Sequence, residues 1–400
     1  MKMIRKTISI LISFLCVFSL VSTSACTKKV VVTDDYPVPE VVNTTDTDDT
    51  DDNDSGEKDN SKEEKEEREE IDEALRNEPD TLREKGKYQY NPTALHTISR
   101  DQIKANPKVA RAAKKIMQAV YDVESSVEFE EEGCSEAELK LAIQLAQFSS
   151  PLVNTVSFDY DDETESIKIV YFPDITYDEF GDPIIGDGIS EDETREKYEK
   201  FETYVTDTIN NNLTDKNTDI ERAKIIFGEL VKGMELRYFI NEEAENIEEQ
   251  ILEVGGETID YSDTIVDQVI AGKLEFWQMV SLYQFFLTQL NIDSLVMGAN
   301  GQYQQQGFSI LDSEMTGSSG WMWNIVTIDE KTYHCDILFE KMALDSQRES
   351  FPEYEPEFDY FGMSDATRDE SFKMYYKVSM ETLNPTNSPS IPVCDEDYKE

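Results

Sequence analysis

The sequence has little histidine, cysteine and positive charge. Two histidines in 400 residues leave little room for a histidine-rich metal centre, and five cysteines are too sparse for a disulfide-stapled miniprotein. Lysine and arginine number 37 against 85 acidic residues, which gives a formal net charge of -48. A field of that sign repels phosphate and excludes nucleic acid as a partner.

Residues 1–25 have the pattern of a signal peptide, and their apolar run is too short for a membrane-spanning helix. Basic residues precede an apolar run from Ile8 to Val21, and small residues then lead to Cys26. This arrangement resembles a bacterial lipobox, which implies that Cys26 is acylated. Each buried CH₂ of an acyl chain contributes ~0.8 kcal/mol, so membrane lipid would hold the protein on the outer face of the cell membrane. An ordinary signal peptide with a chance cysteine is the alternative.

Residues 26–84 are predicted to form an acidic disordered tether. From Asp34 to Glu73 acids are dense and large apolar residues are nearly absent. Such a segment cannot bury enough surface to offset its ordering entropy, and its charges repel one another. A neutral coil of this length reaches ~40 Å, and self-repulsion extends it further.

The rest of the chain has the periodicity of a globular α+β fold. Residues 85–190 are predicted to be a smaller α/β segment, with helices after Pro107 and Ser135 and a hairpin of strands. The acidic, glycine-containing stretch 174–192 is predicted to be an exposed loop. Helices over about 193–211 and 219–235 follow, the second capped by Thr218 or Asp219.

The most informative stretch is Leu274 to Leu290, which is apolar on nearly every face and predicts a helix buried on all sides. Strands of one antiparallel sheet are predicted after it, with a tight turn at 329–331. One helix packed on such a sheet is an α+β arrangement. The predicted strands are 292–297, 308–311, 322–328 and 332–338. We assign 191–345 to this core and 346–400 to a C-terminal extension that packs on it.

Three short motifs occur here in a familiar order and spacing. They are VIAGKLEF at 269–276, WMWNIV at 321–326 and TYHCD at 332–336, supported by weaker matches at 218–223, 360–365 and 391–394. The chain is similar, from about 100 to 398, to the transglutaminase-like branch of the papain-type cysteine peptidase superfamily, and in particular to bacterial lipoproteins carrying that domain. The resemblance implies a transglutaminase-like core in which the buried helix packs on the antiparallel sheet.

The resemblance also implies that the catalytic triad is degenerate. Acyl transfer or amide hydrolysis in this family uses a Cys at the helix N-terminus, a His, and a carboxylate that orients it. Phe276 stands at the nucleophile position, Trp321 at the histidine position, and only Asp336 remains. Loss of either partner removes nearly all triad chemistry. We expect Asp336 to hydrogen-bond backbone or the indole of Trp321 or Trp323.

The leading interpretation is therefore a membrane-anchored, extracytoplasmic pseudoenzyme that binds a protein, a peptide or a cell-wall component, with neither cofactor nor metal. Trp277 and Trp323 are candidate cleft aromatics for such binding.

A second interpretation is a cysteine-dependent peptidase, amidase or acyltransferase with a relocated site, in which Cys335 or Cys134 works with His334. Side chains alternate along a strand, so Cys335 should face away from Asp336 while His334 shares its face. We expect His334, Cys335 and His96 to be structural.

A third interpretation is a surface module that depends on a divalent cation. It rests on the acids Asp178, Asp182, Asp187 and Glu191. The sequence leaves disulfide pairing open, with at most one bond among Cys134, Cys335 and Cys394.

Overall fold

A computed structural model describes most of the chain after the predicted tether. The described residues are 74–77, 80–97, 106–129, 133–161, 166–173, 175–177, 183–237, 264–300, 305–307, 319–376 and 392–399. The predicted signal peptide, Cys26, residues 26–73 of the tether and the predicted strand 308–311 lie outside them. In the part of the chain that is described, no helix is both long and apolar enough to span a membrane.

Helices and short sheets alternate along the described residues, and one sheet, the strand pair formed by 235–237 and 273–275, is parallel. The helices are α1 (Thr81–Lys85), α2 (Pro107–Tyr121), α3 (Glu136–Ser149), α4 (Glu191–Asn212), α5 (Asp219–Gly233), α6 (Ile265–Ala271), α7 (Phe276–Gln289), α8 (Ile337–Arg348) and α9 (Asp365–Tyr376). The strands are β1 (Ser126–Glu128), β2 (Val156–Asp161), β3 (Ser166–Tyr171), β4 (Ile175–Tyr177), β5 (Pro183–Ile185), β6 (Glu235–Arg237), β7 (Lys273–Glu275), β8 (Asp293–Asn300), β9 (Gln305–Gly307), β10 (Ser319–Ile328), β11 (Lys331–Cys335) and β12 (Phe361–Met363).

The N-terminal part follows its local signals closely. Pro107 opens α2, and Ser135 with Glu138 forms the predicted capping box of α3. The predicted hairpin is present as β2 and β3, in a three-stranded sheet of order β1-β3-β2. The first strand of the hairpin is predicted to begin at Val153, but a 3₁₀ turn, Pro151–Thr155, occupies its first residues and β2 begins at Val156. Pro151, at the start of the turn, lacks the N–H that a sheet ladder needs.

The prediction of an exposed loop over 174–192 is wrong in part. Strands β4 and β5 pair antiparallel, with Ile175 opposite Ile185, and α4 begins at Glu191 behind a Ser190 capping box. The hairpin was not predicted because its strands are only three residues long and acidic residues surround their few apolar residues.

The predicted tether ends earlier than residue 84. Ala74 and Leu75 are buried, and Leu82 is only 1% exposed. Asp80 caps α1 with its side chain and pairs with the guanidinium of Arg222, which is fully buried. An unpaired buried guanidinium is costly, so this ion pair fixes the start of the folded part to α5.

The α+β architecture is confirmed around the buried helix α7. Its side chains from Met279 to Leu287 are almost all inaccessible, and it packs against a five-stranded antiparallel sheet of order β12-β11-β10-β8-β9. The turn between β10 and β11 has positive φ at both Asp329 and Glu330, the geometry of a type I′ hairpin turn, as predicted.

The predicted strand 332–338 is wrong beyond Cys335. Asp336 leaves the sheet and caps α8, where its carboxylate accepts the backbone N–H of Phe339 at 3.0 Å. The apolar residues at 337–339 suit a strand and a buried helix equally, so periodicity alone does not separate the two. This change moves Asp336 out of the strand face that it was expected to share with His334.

Candidate functional site

The topology brings the start of α7 to the end of the sheet that carries Trp321. A connection of only three residues joins α7 to β8, so the two elements run antiparallel. The far end of β8 pairs with β10 at Ala299 and Trp321. Further along, the Asn324 side chain donates to the carbonyl of Val280, at 3.3 Å.

Residue 276 opens α7, the place that a helix-terminal nucleophile would need. Its backbone is the first residue of the helix, and the Phe276 side chain lies outside the described atoms. Glu275 precedes the helix without capping it through its side chain; its carboxylate accepts the indole N–H of Trp277 at 2.9 Å. Trp277 is half-buried, which keeps it a candidate contact residue.

Trp321 and Asp336 form a buried hydrogen-bonded pair. The indole Nε1–H donates to Asp336 Oδ2 at 2.7 Å, and the two residues are 7% and 1% exposed. The predicted hydrogen bond from an indole to Asp336 is therefore confirmed. The Trp321 ring also stacks on Phe339, with ring centroids 4.4 Å apart. Together these contacts hold β10 to the first turn of α8.

Burial raises the pKa of Asp336 to about 7. The N–H groups of Phe339, Trp321 and Leu338 oppose this rise because they stabilise the carboxylate, and the negative charge of Glu340 adds to it. The hydrogen bonds to Asp336 come from neutral donors, so its charge is solvated by dipoles.

His334 does not pair with Asp336, contrary to the expectation from strand alternation. Its Nε2 lies 2.7 Å from Asp365 Oδ1, and its Nδ1 accepts the indole N–H of Trp323 at 2.9 Å. Because the indole can only donate, the ring proton must be on Nε2, where it donates to Asp365. Neither ring nitrogen keeps a lone pair for catalysis, and burial lowers the pKa of His334 to about 4.

Trp323 is a core residue and the expectation that it lines a cleft is wrong. It is fully buried, and the guanidinium of Arg368 lies over its ring, 5.6 Å from the centroid. Trp323 lies on the same face of the β10–β11 pair as His334, because Ile325, two residues after Trp323, is the register partner of His334.

Cys394 joins the His334 cluster and was not singled out by the sequence as a neighbour of it. Ligand atoms of Cys394, His334 and Asp365 all lie within 4.8 Å of one another. A metal at this place would need His334 Nε2 deprotonated while Nδ1 still accepts from Trp323, which would make the ring an imidazolate. The three side chains therefore do not fit a metal in this arrangement.

Neither of the two thiols near His334, those of Cys335 and Cys394, suits the relocated-cysteine interpretation. Cys335 is fully buried behind the sheet, hydrogen-bonded to Tyr283, and burial raises its pKa to about 12. Burial raises the pKa of Cys394 to about 12 as well, whereas a nucleophilic Cys needs a depressed pKa. Cys134 donates to the carbonyl of Lys108 at 3.8 Å. None of these three cysteines forms a disulfide bond.

The remaining candidates are structural or incompletely described. His96 is buried, with Nε2 2.7 Å from the carbonyl of Ser294, as expected for a core histidine. Glu191 pairs with Arg195 at 2.9 Å, and Asp187 is exposed. Asp178 and Asp182, the other acids of the proposed cation module, lie outside the described residues.

A groove of about 580 Å³ opens beside Gly272, just before β7 and α7. Its lining includes Met234, which follows α5, Leu236 of β6, and Lys341 and Asp345 of α8. Lys341 pairs with Asp345, so the groove is polar without a dominant charge.

No protein-family model matches the chain, and no curated protein matches its sequence.

Proposed function

We propose that this chain is a membrane-anchored, extracytoplasmic lipoprotein whose transglutaminase-like domain is catalytically inactive and binds a protein, a peptide or a cell-wall component. The observation that carries the proposal is the 2.7 Å hydrogen bond from the Trp321 indole to Asp336. An imidazole at 321 would donate one nitrogen to Asp336 and keep the other as a base. An indole has a single nitrogen, and Asp336 occupies it.

The arrangement of elements supports the transglutaminase-like part of the proposal. A buried helix begins at residue 276, packs on an antiparallel sheet, and starts at the end of that sheet where Trp321 lies. The three positions of the degenerate triad come from a helix start, a central strand and the residue after the next strand. That order is the one the resemblance implies.

Binding in place of catalysis is supported by the groove beside Gly272. Its residue Gly272 immediately precedes β7, which leads into α7, and α8, which Asp336 caps, forms one wall. Polar lining with buried apolar residues beneath suits a peptide or glycan better than a small apolar molecule.

Anchoring rests on the sequence pattern before Cys26. Mass spectrometry of the protein from a membrane fraction should find Cys26 as an acylated N-terminus, and Cys26→Ser should release the protein into the soluble fraction. A Cys26→Ser protein that stays in the membrane would contradict the anchor.

The functional test combines a turnover assay with a binding assay on the full chain. We expect no amide hydrolysis or crosslinking above background, and no change on Asp336→Ala. Purified cell wall or a peptide library should bind, and a charge reversal in the groove, Lys341→Glu, should weaken binding where exposed Lys85→Glu does not. Turnover that survives purification and disappears with Asp336→Ala would overturn the proposal.

A further inference from the structure

The outer edge of β11 is covered by two separate pieces of chain. Strand β12 pairs with its second half, opposite His334 and Cys335. Residues 392–399, here called the C-terminal segment, cover the first half: the Thr332 hydroxyl donates to the carbonyl of Val393 at 2.7 Å, and Lys331 pairs with Glu396. The segment therefore lies along this part of the sheet edge, beside β12.

Backbone N–H and C=O groups of the C-terminal segment are both hydrogen-bonded to the rest of the protein. The Cys394 carbonyl accepts the N–H of Asp365 at 2.8 Å, and the Cys394 N–H donates to Asp365 Oδ2 at 3.2 Å. Farther on, the Tyr398 N–H donates to the carbonyl of Gly362 at 2.7 Å. Main-chain bonds of this kind bind an extended peptide whatever its sequence.

Side-chain contacts give the groove that holds the C-terminal segment at the sheet edge, which is separate from the groove beside Gly272, a sequence preference. Cys394 is 1% exposed and fills a small space beside His334. Asp397 Oδ1 accepts the backbone N–H of Ser364, the residue before α9, at 2.7 Å. These contacts select a small residue followed three positions later by a carboxylate.

An aromatic residue completes the pattern. The Tyr398 ring meets Tyr333 and Phe361 edge-on, each with centroids 6.2 Å apart. A Cβ added to Gly362 would lie 2.6 Å from Tyr398 Cβ, so the glycine makes room for the aromatic residue. The groove thus contacts a small residue and, after one position that it does not contact, two acids and an aromatic residue, as in Cys394-Asp395-Glu396-Asp397-Tyr398.

We propose that this sheet-edge groove is a peptide-binding site that the C-terminal segment fills in cis, and that it accepts in trans extended peptides of the same small–x–acidic–acidic–aromatic pattern. The site is separate from the degenerate triad, and the proposal depends neither on anchoring nor on lost catalysis.

The C-terminal segment is mostly exposed, which supports its replacement by a peptide that binds in trans. Val393 is 66% exposed, and the three acids after Cys394 are exposed as well. Cys394 alone among residues 392–399 is fully buried, so little core surface is lost when the segment leaves. Fifteen residues, 377–391, join it to α9. A tethered ligand competes at an effective concentration on the order of 1 mM, which should mask the groove in the intact chain.

The first test measures binding of a dye-labelled peptide with the sequence of residues 391–399 to the full chain by fluorescence anisotropy. Asp397→Ala with Tyr398→Ala weakens the cis segment and should tighten peptide binding by about tenfold or more relative to the unaltered chain. Asp395→Ala, which removes an exposed acid outside the described groove contacts, is the matched control and should leave binding unchanged. A peptide carrying Ala at the Tyr398 position should bind at least about tenfold more weakly.

Equal binding by the double variant and the unaltered chain, with both shown to be folded by melting, would overturn the proposal. So would equal binding of the peptide that lacks the tyrosine.

The second test needs no variant and so cannot fail through misfolding. Thiol modification of the native chain, located by mass spectrometry, should reach Cys394 well before Cys335, although both are at most 1% exposed. Only departure of the C-terminal segment exposes Cys394 while the sheet still covers Cys335. Modification of both thiols at one common rate would show that the segment leaves only on global unfolding, and would contradict exchange.

Discussion

Trp321 and Trp323 lie two residues apart on β10, and their indole N–H groups donate to side chains of opposite kind, one an acid and the other a base. Trp321 donates to the carboxylate of Asp336, which has no cation beside it among its hydrogen-bond partners. Trp323 donates to His334, which in turn donates to Asp365. The Trp321 indole donates to a buried carboxyl group whose pKa is raised by burial. The Trp323 indole fixes the neutral imidazole of His334 in one tautomer. A shared residue type and strand therefore say little about the electrostatics of a site.

Truncating the two tryptophans should separate them most strongly. Trp323 is fully buried, so Trp323→Ala leaves a large cavity and an unsatisfied His334, at a cost of about 3–5 kcal/mol. Trp321→Ala should cost less, because 7% of Trp321 is exposed and water can reach the vacated space. Urea unfolding of both variants measures the difference; a larger loss for Trp321→Ala would reverse the comparison.

Removing the two carboxylates should give the next largest difference. Asp336→Ala deletes a helix cap and the acceptor of a buried indole, and should lower the free energy of unfolding by about 2–4 kcal/mol. Asp336→Asn keeps an acceptor oxygen and should cost roughly half as much. Asp365→Ala should cost about 1–2 kcal/mol, because Asp365 is partly exposed. Equal losses for Asp336→Ala and Asp336→Asn would argue against the cap and the indole bond.

The two sites should respond to pH with opposite sign. The pKa of Asp336 is about 7 in the folded state and about 4 in the unfolded state, so the folded state binds more protons between these values. Its contribution to stability is complete below about pH 4 and is lost as the pH rises through 7. The free-energy difference between the unaltered chain and Asp336→Asn should therefore fall over that window. A difference that rises with pH would contradict a raised pKa.

For His334 the folded pKa is about 4 and the unfolded pKa about 6.5. The folded state now binds fewer protons, so the contribution of His334 is present above about pH 6.5 and is lost as the pH falls through 4. His334→Gln, which keeps polar atoms without titrating, should lose this dependence. The ¹H–¹⁵N spectrum of the ring nitrogens measures the protonation state directly, and an imidazolium at pH 6 would refute the assigned tautomer.

The smallest effect should come from Trp277, the third tryptophan. It is half-buried, and its indole N–H donates to the carboxylate of Glu275. Trp277→Phe keeps the ring and loses one N–H, at a cost of about 0.5–1.5 kcal/mol. A loss as large as that of Trp323→Ala would mean that the start of α7 is packed more tightly than the described contacts indicate.

Local signals made much of the α+β fold predictable. Pro107, the Ser135 capping box and the all-apolar stretch of α7 act within one or two turns of chain, and each element is found where its signal lies. The indole bond to Asp336 was predictable too, because a buried carboxylate needs a donor and the hairpin between β10 and β11 brings tryptophan close.

The features that the sequence did not predict depend on contacts between residues that are far apart along the chain. Asp336 was assigned to a strand because apolar residues follow it, and its capping role appears only once α8 packs on β10. The partner of His334 is Asp365, 31 positions away, on a helix that the sheet edge positions. Cys394 arrives from farther still, and no spacing rule links residues so separated.

The central claim is that the indole of Trp321 holds the acceptor that a catalytic imidazole would need. The most direct measurement is the ¹H–¹⁵N resonance of the Trp321 indole, assigned by Trp321→Phe, followed in the full chain across pH. We expect slow hydrogen exchange and a chemical shift that titrates with an apparent pKa near 7 and stops titrating in Asp336→Asn. An indole that exchanges at the rate of a solvent-exposed tryptophan, with a shift unaffected by pH or by Asp336→Asn, would contradict it.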